Sequence, residues 1–173
     1  MRALLAGLQL ALLLASGPAG AGWRDDVADA RLQGEGMLRY IGFPVYQARL
    51  WSAVPPSGDA VPFALELHYR RSISRERLAD TSIDEIRRIF GERYDDAHLQ
   101  QWRGAMLRAF VDVRDGDRIT GVFLPGRGAR FYAGERLTAD IADPVFAHAF
   151  FAIWLDPATR DPALRASLLG LPR

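Results

Sequence analysis

The chain of 173 residues contains no cysteine and no lysine, and it has three histidines. The absence of cysteine excludes disulfide bonds, thiolate catalysis and cysteine-ligated metals. The histidines, His68, His98 and His148, fall in separate predicted elements without metal-ligand spacing, so we predict no metal and no cofactor. Acidic and basic residues nearly cancel, at a formal net charge of +1. No overall field therefore favours nucleic acid or an anionic membrane.

Long hydrophobic runs are missing beyond the N-terminus. There, Arg2 precedes an apolar run from Ala3 to Ala15, and Ala19-Gly20-Ala21 forms a small-x-small cleavage pattern. This order predicts a secretory signal peptide over residues 1–21, because the run is shorter than the roughly 20 residues of a membrane span. The alternative is an uncleaved anchor. We expect export to the periplasm or secretion, with no stable membrane insertion after cleavage.

The remaining residues, 22–173, predict one domain. Alternating and glycine-punctuated runs are typical of strands, and apolar stripes behind Ser or Asp caps are typical of helices. The predicted elements are a strand or hairpin over 32–51, a strand over 63–70, helices over 74–90 and 95–110, a three-stranded meander over 118–141, and helices over 145–155 and 163–169. This order indicates an α+β fold, with a long antiparallel β-sheet covered on one side by helices.

Several segments of the chain resemble bacterial chalcone isomerase-like proteins in collinear order. They include Val-Tyr-Gln-Ala-Arg-Leu-Trp at 45–51, Gly-Asp-Arg-Ile-Thr-Gly-Val-Phe-Leu-Pro-Gly-Arg-Gly at 116–128 and Phe-Ala-His-Ala-Phe-Phe-Ala-Ile-Trp-Leu-Asp-Pro at 146–157. The resemblance implies an open-faced sandwich with a cleft between sheet and helices. In plants this fold serves a flavonoid-cyclising isomerase and non-catalytic proteins that bind fatty acids.

The isomerase chemistry that the resemblance implies is largely missing. The plant enzyme uses an arginine, a threonine, a tyrosine and an asparagine; here Ile41 stands where the threonine would fall, and Leu78 and Glu85 stand near the tyrosine and asparagine positions. Arg39 is the one plausible remaining member. Attack on an enone needs donors for the developing enolate, so the loss of the hydroxyl groups argues against that reaction.

Three side chains are candidates for ligand binding, each with a structural alternative. Arg39 could pair with a carboxylate or be an exposed strand arginine. Tyr46 could meet a ligand through its hydroxyl or bond to backbone in the core. Ser82 could face the ligand or bond back to the Leu78 carbonyl.

Two side chains are candidates for catalysis. His148 lies in the apolar helix, where we expect a core histidine bonded to a neighbour in preference to an acid or base. Glu85 could be a base if buried, pair with an arginine, or be solvated.

Three functions follow. The first is an exported, non-catalytic protein that binds an apolar ligand, such as a fatty acid with its carboxylate, in the sheet–helix cleft beside Arg39. The second is an isomerase or lyase that acts on an enone. The third is an envelope interaction module, which requires an exposed apolar patch. The sequence does not set the oligomeric state.

Overall fold

A six-stranded antiparallel sheet forms the centre of the computed structural model, which describes residues 22–172. The predicted signal peptide lies outside these residues. The strands pair in chain order, so each hydrogen-bonds to the next. They are β1 (Arg31–Tyr40), β2 (Phe43–Ser52), β3 (Phe63–Tyr69), β4 (Arg118–Leu124), β5 (Gly128–Ala133) and β6 (Arg136–Ile141).

Four α-helices follow the predicted order, and each begins at a predicted cap. The side chains of Ser74, Asp95, Asp143 and Asp161 accept hydrogen bonds from backbone amides three residues on, which satisfies donors at the helix start. The helices are α1 (Arg75–Phe90), α2 (Asp96–Ala109), α3 (Pro144–Leu155) and α4 (Pro162–Leu169). Two short 3-10 turns, Trp23–Asp25 and Gly91–Arg93, complete the described elements. The α+β prediction is confirmed.

The run over 32–51 is a hairpin. Ile41 and Gly42 connect β1 to β2, with φ values of 48° and 78°. A two-residue turn with positive φ at both positions matches the twist of antiparallel strands. Strand β2 pairs with β3 only from Tyr46 to Trp51, so the turn projects past the neighbouring strand.

The main hydrophobic core lies between the inner face of the sheet and the helices. The predicted inward residues of β3, Phe63, Leu65, Leu67 and Tyr69, are all buried there. Seven of the twelve residues of α3 are buried against the sheet. Within residues 22–172, no helix is long and apolar enough to cross a membrane.

Helix α4 packs directly on β1 because two glycines remove the side chains between them. A methyl group on Gly34 would clash with the backbone carbonyl of Ser167, and one on Gly36 would lie 2.7 Å from Leu164 Cδ1. The glycine punctuation of the first hairpin, which predicted bends or close backbone approach, therefore marks the contact with the last helix.

The outer face of the sheet is partly covered by the chain before β1. Trp23 and Val27 are buried there against Ala64, Val122 and Tyr132. The rest of the face carries charged side chains. Helices therefore cover one side, as predicted, while the N-terminal segment supplies a small second cluster on the other.

Candidate ligand-binding site

Aromatic rings fill most of the space between the sheet and α3. Phe63 stacks on Phe123 with ring centroids 5.0 Å apart, and Phe151 meets Phe63 edge-on at 5.0 Å. Phe131 and Phe150 continue the cluster at 5.1 Å. Such edge-to-face packing is favourable for aromatic rings, and it makes this interior suited to apolar groups.

One polar pair interrupts the apolar interior. The indole N–H of Trp154, on α3, donates a hydrogen bond of 2.9 Å to the Tyr46 hydroxyl oxygen on β2. Tyr69, opposite Tyr46 on β3, packs edge-on at 5.8 Å. A phenol that accepts one bond still has its own proton to donate. We call Tyr46, Tyr69 and Trp154 the phenol pole.

Both phenols stay protonated at neutral pH. Burial raises the pKa of Tyr46, and the negative charges of Asp161 and Glu85 raise it further, against the hydrogen bond from Trp154. Burial also raises the pKa of Tyr69. A neutral phenol in apolar surroundings is a hydrogen-bond donor. The phenol pole can therefore offer a donor to a ligand oxygen at the edge of an apolar space.

Glu85 is nearly buried and is held by two arginines. Arg88 Nε lies 2.9 Å from Oε2, and Arg160 Nε lies 2.7 Å from Oε1. Arg88 also donates to the Ala158 carbonyl oxygen at 2.9 Å. The hydrogen bond to Glu85 raises the pKa of Arg160. Because both carboxylate oxygens are engaged, Glu85 joins α1 to the segment before α4 and lacks the free oxygen of a general base.

Ser82 and Arg39 lie where their structural alternatives placed them. Ser82 Oγ donates to the Leu78 carbonyl oxygen at 2.8 Å. Arg39 is exposed, and its Nη1 donates to the Gly42 carbonyl oxygen at 3.1 Å. Tyr46 is bonded to an indole, whereas its structural alternative expected backbone. None of the hydrogen bonds just described joins Arg39 to Tyr46 or to Ser82. The ligand-binding roles of all three residues stay predictions.

The expectation that His148 lies in the core is wrong. Its side chain is 44% exposed, and Nδ1 lies 2.8 Å from Asp59 Oδ2 in the loop before β3. Val145, one turn earlier, is also exposed. One narrow edge of α3 therefore faces solvent, which its apolar composition did not predict. His148 and Glu85 contact different partners, and the described residues bring no acid–base pair to the phenol pole.

The structure does not show the open cleft that we predicted beside Arg39. A depression of about 280 Å³ lies between β1 and α4, and one of about 250 Å³ lies between α2 and β6. Neither is lined by Arg39, Tyr46 or Ser82. Across residues 22–172, no group of three His, Asp or Glu side chains could hold a metal ion.

These features define an open-faced α+β sandwich with an apolar interior and the phenol pole at its edge. The sequence model of the chalcone isomerase-like family matches residues 27–170, so the chain belongs to that family. The fold is similar to the crystal structure of a fatty-acid binding protein from Arabidopsis thaliana, with a TM-score of 0.62 and 11% identity over 82% of this chain and 87% of that chain. At that identity the similarity establishes the fold. A search of curated proteins finds no match.

Sequence reasoning missed three residues of this region: Tyr69, Trp154 and Arg160. Strand alternation assigns Tyr69 to the inner face, but nothing in the sequence places it beside Tyr46 until the register of β2 and β3 is known. Trp154 and Arg160 lie more than 70 residues after their partners Tyr46 and Glu85. No local pattern signals contacts at that separation.

Proposed function

We propose that this protein is a non-catalytic binding protein for an apolar ligand, held in the sheet–helix layer with its polar end at the phenol pole. The observation that carries the proposal is the Tyr46 hydroxyl, which accepts a hydrogen bond from Trp154 at the edge of an otherwise apolar, aromatic interior. Its proton can be donated to a ligand oxygen. The similarity in fold to a fatty-acid binding protein from Arabidopsis supports a ligand of that kind.

The ligand would enter at the margin between β1, β2 and α1. Leu38, Tyr46 and Leu78 are only partly buried there, and they pack against the edge of the core. Side chains at such a margin move at lower cost than fully buried ones, because fewer contacts hold them. Binding would therefore move these side chains apart to admit the ligand.

A carboxylate is our choice for the polar end of the ligand. Its oxygens accept hydrogen bonds from neutral phenols, and a charge-assisted bond is roughly twice as strong as a neutral one. Arg39 follows Leu38 and supplies an exposed cation on the same strand. We propose a fatty-acid-like ligand whose carboxylate accepts from the phenol pole, with Arg39 as a second, weaker cationic partner at the margin.

A competition titration tests this proposal. A fluorescent fatty acid is bound to the protein and displaced by palmitate, in the wild type and in Tyr46→Phe. Loss of one hydrogen bond to a charged group, about 1.5–3 kcal/mol, lowers affinity roughly 10- to 100-fold. Tyr132→Phe, which removes a hydroxyl from the outer face, is the matched control and should bind like the wild type. Failure of the fatty acid to bind, or equal affinity in Tyr46→Phe, contradicts the proposal.

We also propose that the chain is exported and that residues 1–21 are removed. The positive start, the short apolar run and the small-x-small pattern support this. The intact mass of protein recovered from the periplasm or the medium should correspond to cleavage after Ala21. Recovery of the full-length chain from the cytoplasm would contradict it.

A further inference from the structure

The turn between β1 and β2 carries a concentrated exposed apolar surface. Tyr40 is 65% exposed, Ile41 is 78% exposed and Phe43 is 69% exposed. We call residues 39–44 the hairpin tip. Scattered exposed apolar residues are ordinary, but three large ones within four positions form a patch. An exposed apolar patch of this kind is what the third predicted function, an envelope interaction module, requires.

The hairpin tip stands clear of the rest of the sheet. The last contact with the neighbouring strand is the Arg70 amide, which donates to the Val45 carbonyl oxygen at 2.9 Å. Ile41 adopts a φ of 48°, a region unfavourable for a β-branched side chain. Asn-Gly is the usual pair for such a turn. An isoleucine here exposes apolar surface at a cost in backbone strain.

Arginines surround the hairpin tip. Arg39 is within it, and Arg70 and Arg71 are exposed beside its base. No acidic residue occurs in residues 36–58 or 67–75. Without Arg2 the formal net charge of the chain is zero. The positive charge near the hairpin tip is therefore a local feature and does not reflect an overall positive charge.

One acidic segment lies close to the base of the hairpin tip and offsets part of its positive charge. It is the turn over 112–117, whose Gly116 amide donates to the Tyr69 carbonyl. Asp112 accepts from the Arg75 amide and Asp117 accepts from the Arg114 amide, both within 2.9 Å. A carboxylate that accepts from a backbone amide keeps its negative charge. The three aspartates therefore offset part of the charge of Arg39, Arg70, Arg71 and Arg114, and this end keeps a small positive excess.

We propose that the hairpin tip docks on the surface of an anionic lipid bilayer. Tyr40, Ile41 and Phe43 would enter the boundary between headgroups and acyl chains, where aromatic side chains are favoured. Arg39, Arg70 and Arg71 would pair with lipid phosphates. A protein partner fits less well, because a stable interface needs about 800 Å² on each side and six protruding residues cannot supply it. The proposal does not depend on whether the interior holds a ligand.

Vesicle flotation tests the docking. The chain from Gly22 is used, because the Ala3–Ala15 run would itself bind lipid, and residues 22–172 contain both hydrophobic clusters and every described element. Vesicles of phosphatidylcholine alone are compared with vesicles that also contain phosphatidylglycerol. We expect flotation with the anionic vesicles, and a loss of about tenfold or more in partitioning for Ile41→Asn/Phe43→Ser, since two inserted side chains are removed.

Two controls make the result decisive. Leu137→Ser removes an exposed apolar side chain on β6, at the other edge of the sheet, and should float like the wild type. Ile41→Asn alone should melt at or above the wild-type temperature, because asparagine suits the positive φ. Its flotation and the melting temperature of the double variant are measured as well, so that weaker flotation is separated from misfolding. Equal flotation of the tip variant and the wild type overturns the proposal. So does equal binding to both vesicle types, or self-association that disappears in the tip variant.

Discussion

The two faces of the sheet use the same strands for different purposes. The inner face presents aromatic and aliphatic side chains to the helices, with the phenol pole as its polar interruption. The outer face carries an alternating row of charges across four strands. Arg49 lies 2.9 Å from Glu35 and 3.8 Å from Glu66, and Arg118 lies 3.9 Å from Glu66.

The two faces therefore contribute differently to the stability of the fold and to the proposed ligand binding. Opposite charges on adjacent strands contribute little each when solvent reaches them, as it reaches Glu35, whereas Glu66 is buried and lies between two arginines. Apolar burial on the inner face supplies most of the folding free energy. The inner face is therefore both the stabilising surface and the proposed ligand surface, and a ligand must compete with side chains that already pack well.

The largest contrast should come from neighbouring residues on opposite faces of β5. Phe131→Ala empties a fully buried ring position and should lower the free energy of unfolding by about 3–5 kcal/mol. Tyr132→Phe keeps the ring and loses only the hydrogen bond to the Asp26 carboxylate, at about 1.5–3 kcal/mol. Urea denaturation measures both. Similar losses for the two variants would contradict the division between faces.

A methyl group at Gly34 should detach the last helix. Gly34→Ala sets a side chain against backbone of α4, and such overpacking costs about 1–3 kcal/mol. Gly104→Ala is the matched control: it lies inside α2, where the nearest atom is Arg108 Nη1 at 3.7 Å, and should stabilise by up to about 1 kcal/mol. Thermal melts of the two variants should shift in opposite directions. A Gly34→Ala protein that melts like the wild type would show that α4 does not need this contact.

Substitution of the ion-paired glutamates Glu85 and Glu35 should lower the free energy of unfolding by different amounts. Glu85→Gln weakens a nearly buried carboxylate bound by two arginines and should lower the free energy of unfolding by about 1–3 kcal/mol. Glu35→Gln acts on the exposed end of the outer row and should cost at most about 1 kcal/mol. Chemical denaturation at low and high salt checks this, with the Glu35 effect fading as salt rises. Equal losses of unfolding free energy in the two variants would show that the ion pairs of Glu85 contribute no more than an exposed surface pair.

The smallest expected effect is a dependence on alkaline pH. Burial and the hydrogen bond to Asp26 raise the pKa of Tyr132 to about 12, from an ordinary value of 10. The stability contributed by this neutral phenol is complete below the unfolded value and is lost as pH rises toward the folded one. Stability should fall more steeply in the wild type than in Tyr132→Phe between these values. Parallel pH profiles would contradict the raised pKa.

The fold followed from local patterns in the sequence, whereas the site did not. Caps such as Ser74 and Asp161 act on amides three residues away, and strand alternation assigned Leu65 and Leu67 to the core, because these signals are set by short-range geometry. The partners of Tyr46 and Glu85 come from α3 and the segment after it. Such contacts depend on how distant elements pack, which one sequence does not encode locally.

His148 shows how composition can mislead. An α-helix of almost uniformly apolar residues predicted burial on all sides, yet α3 lies at the surface along one narrow edge. Ile41 shows the converse. Its apolar side chain predicted nothing unusual until the structure placed it at an exposed turn with positive φ.

Native mass spectrometry of the purified protein, with lipid extraction of the same sample, tests the central claim most directly. Our account expects one apolar molecule per chain, or stoichiometric uptake of added fatty acid, with occupancy reduced in Tyr46→Phe and unchanged in Tyr132→Phe. A chain that is reproducibly empty and takes up no fatty acid would contradict it.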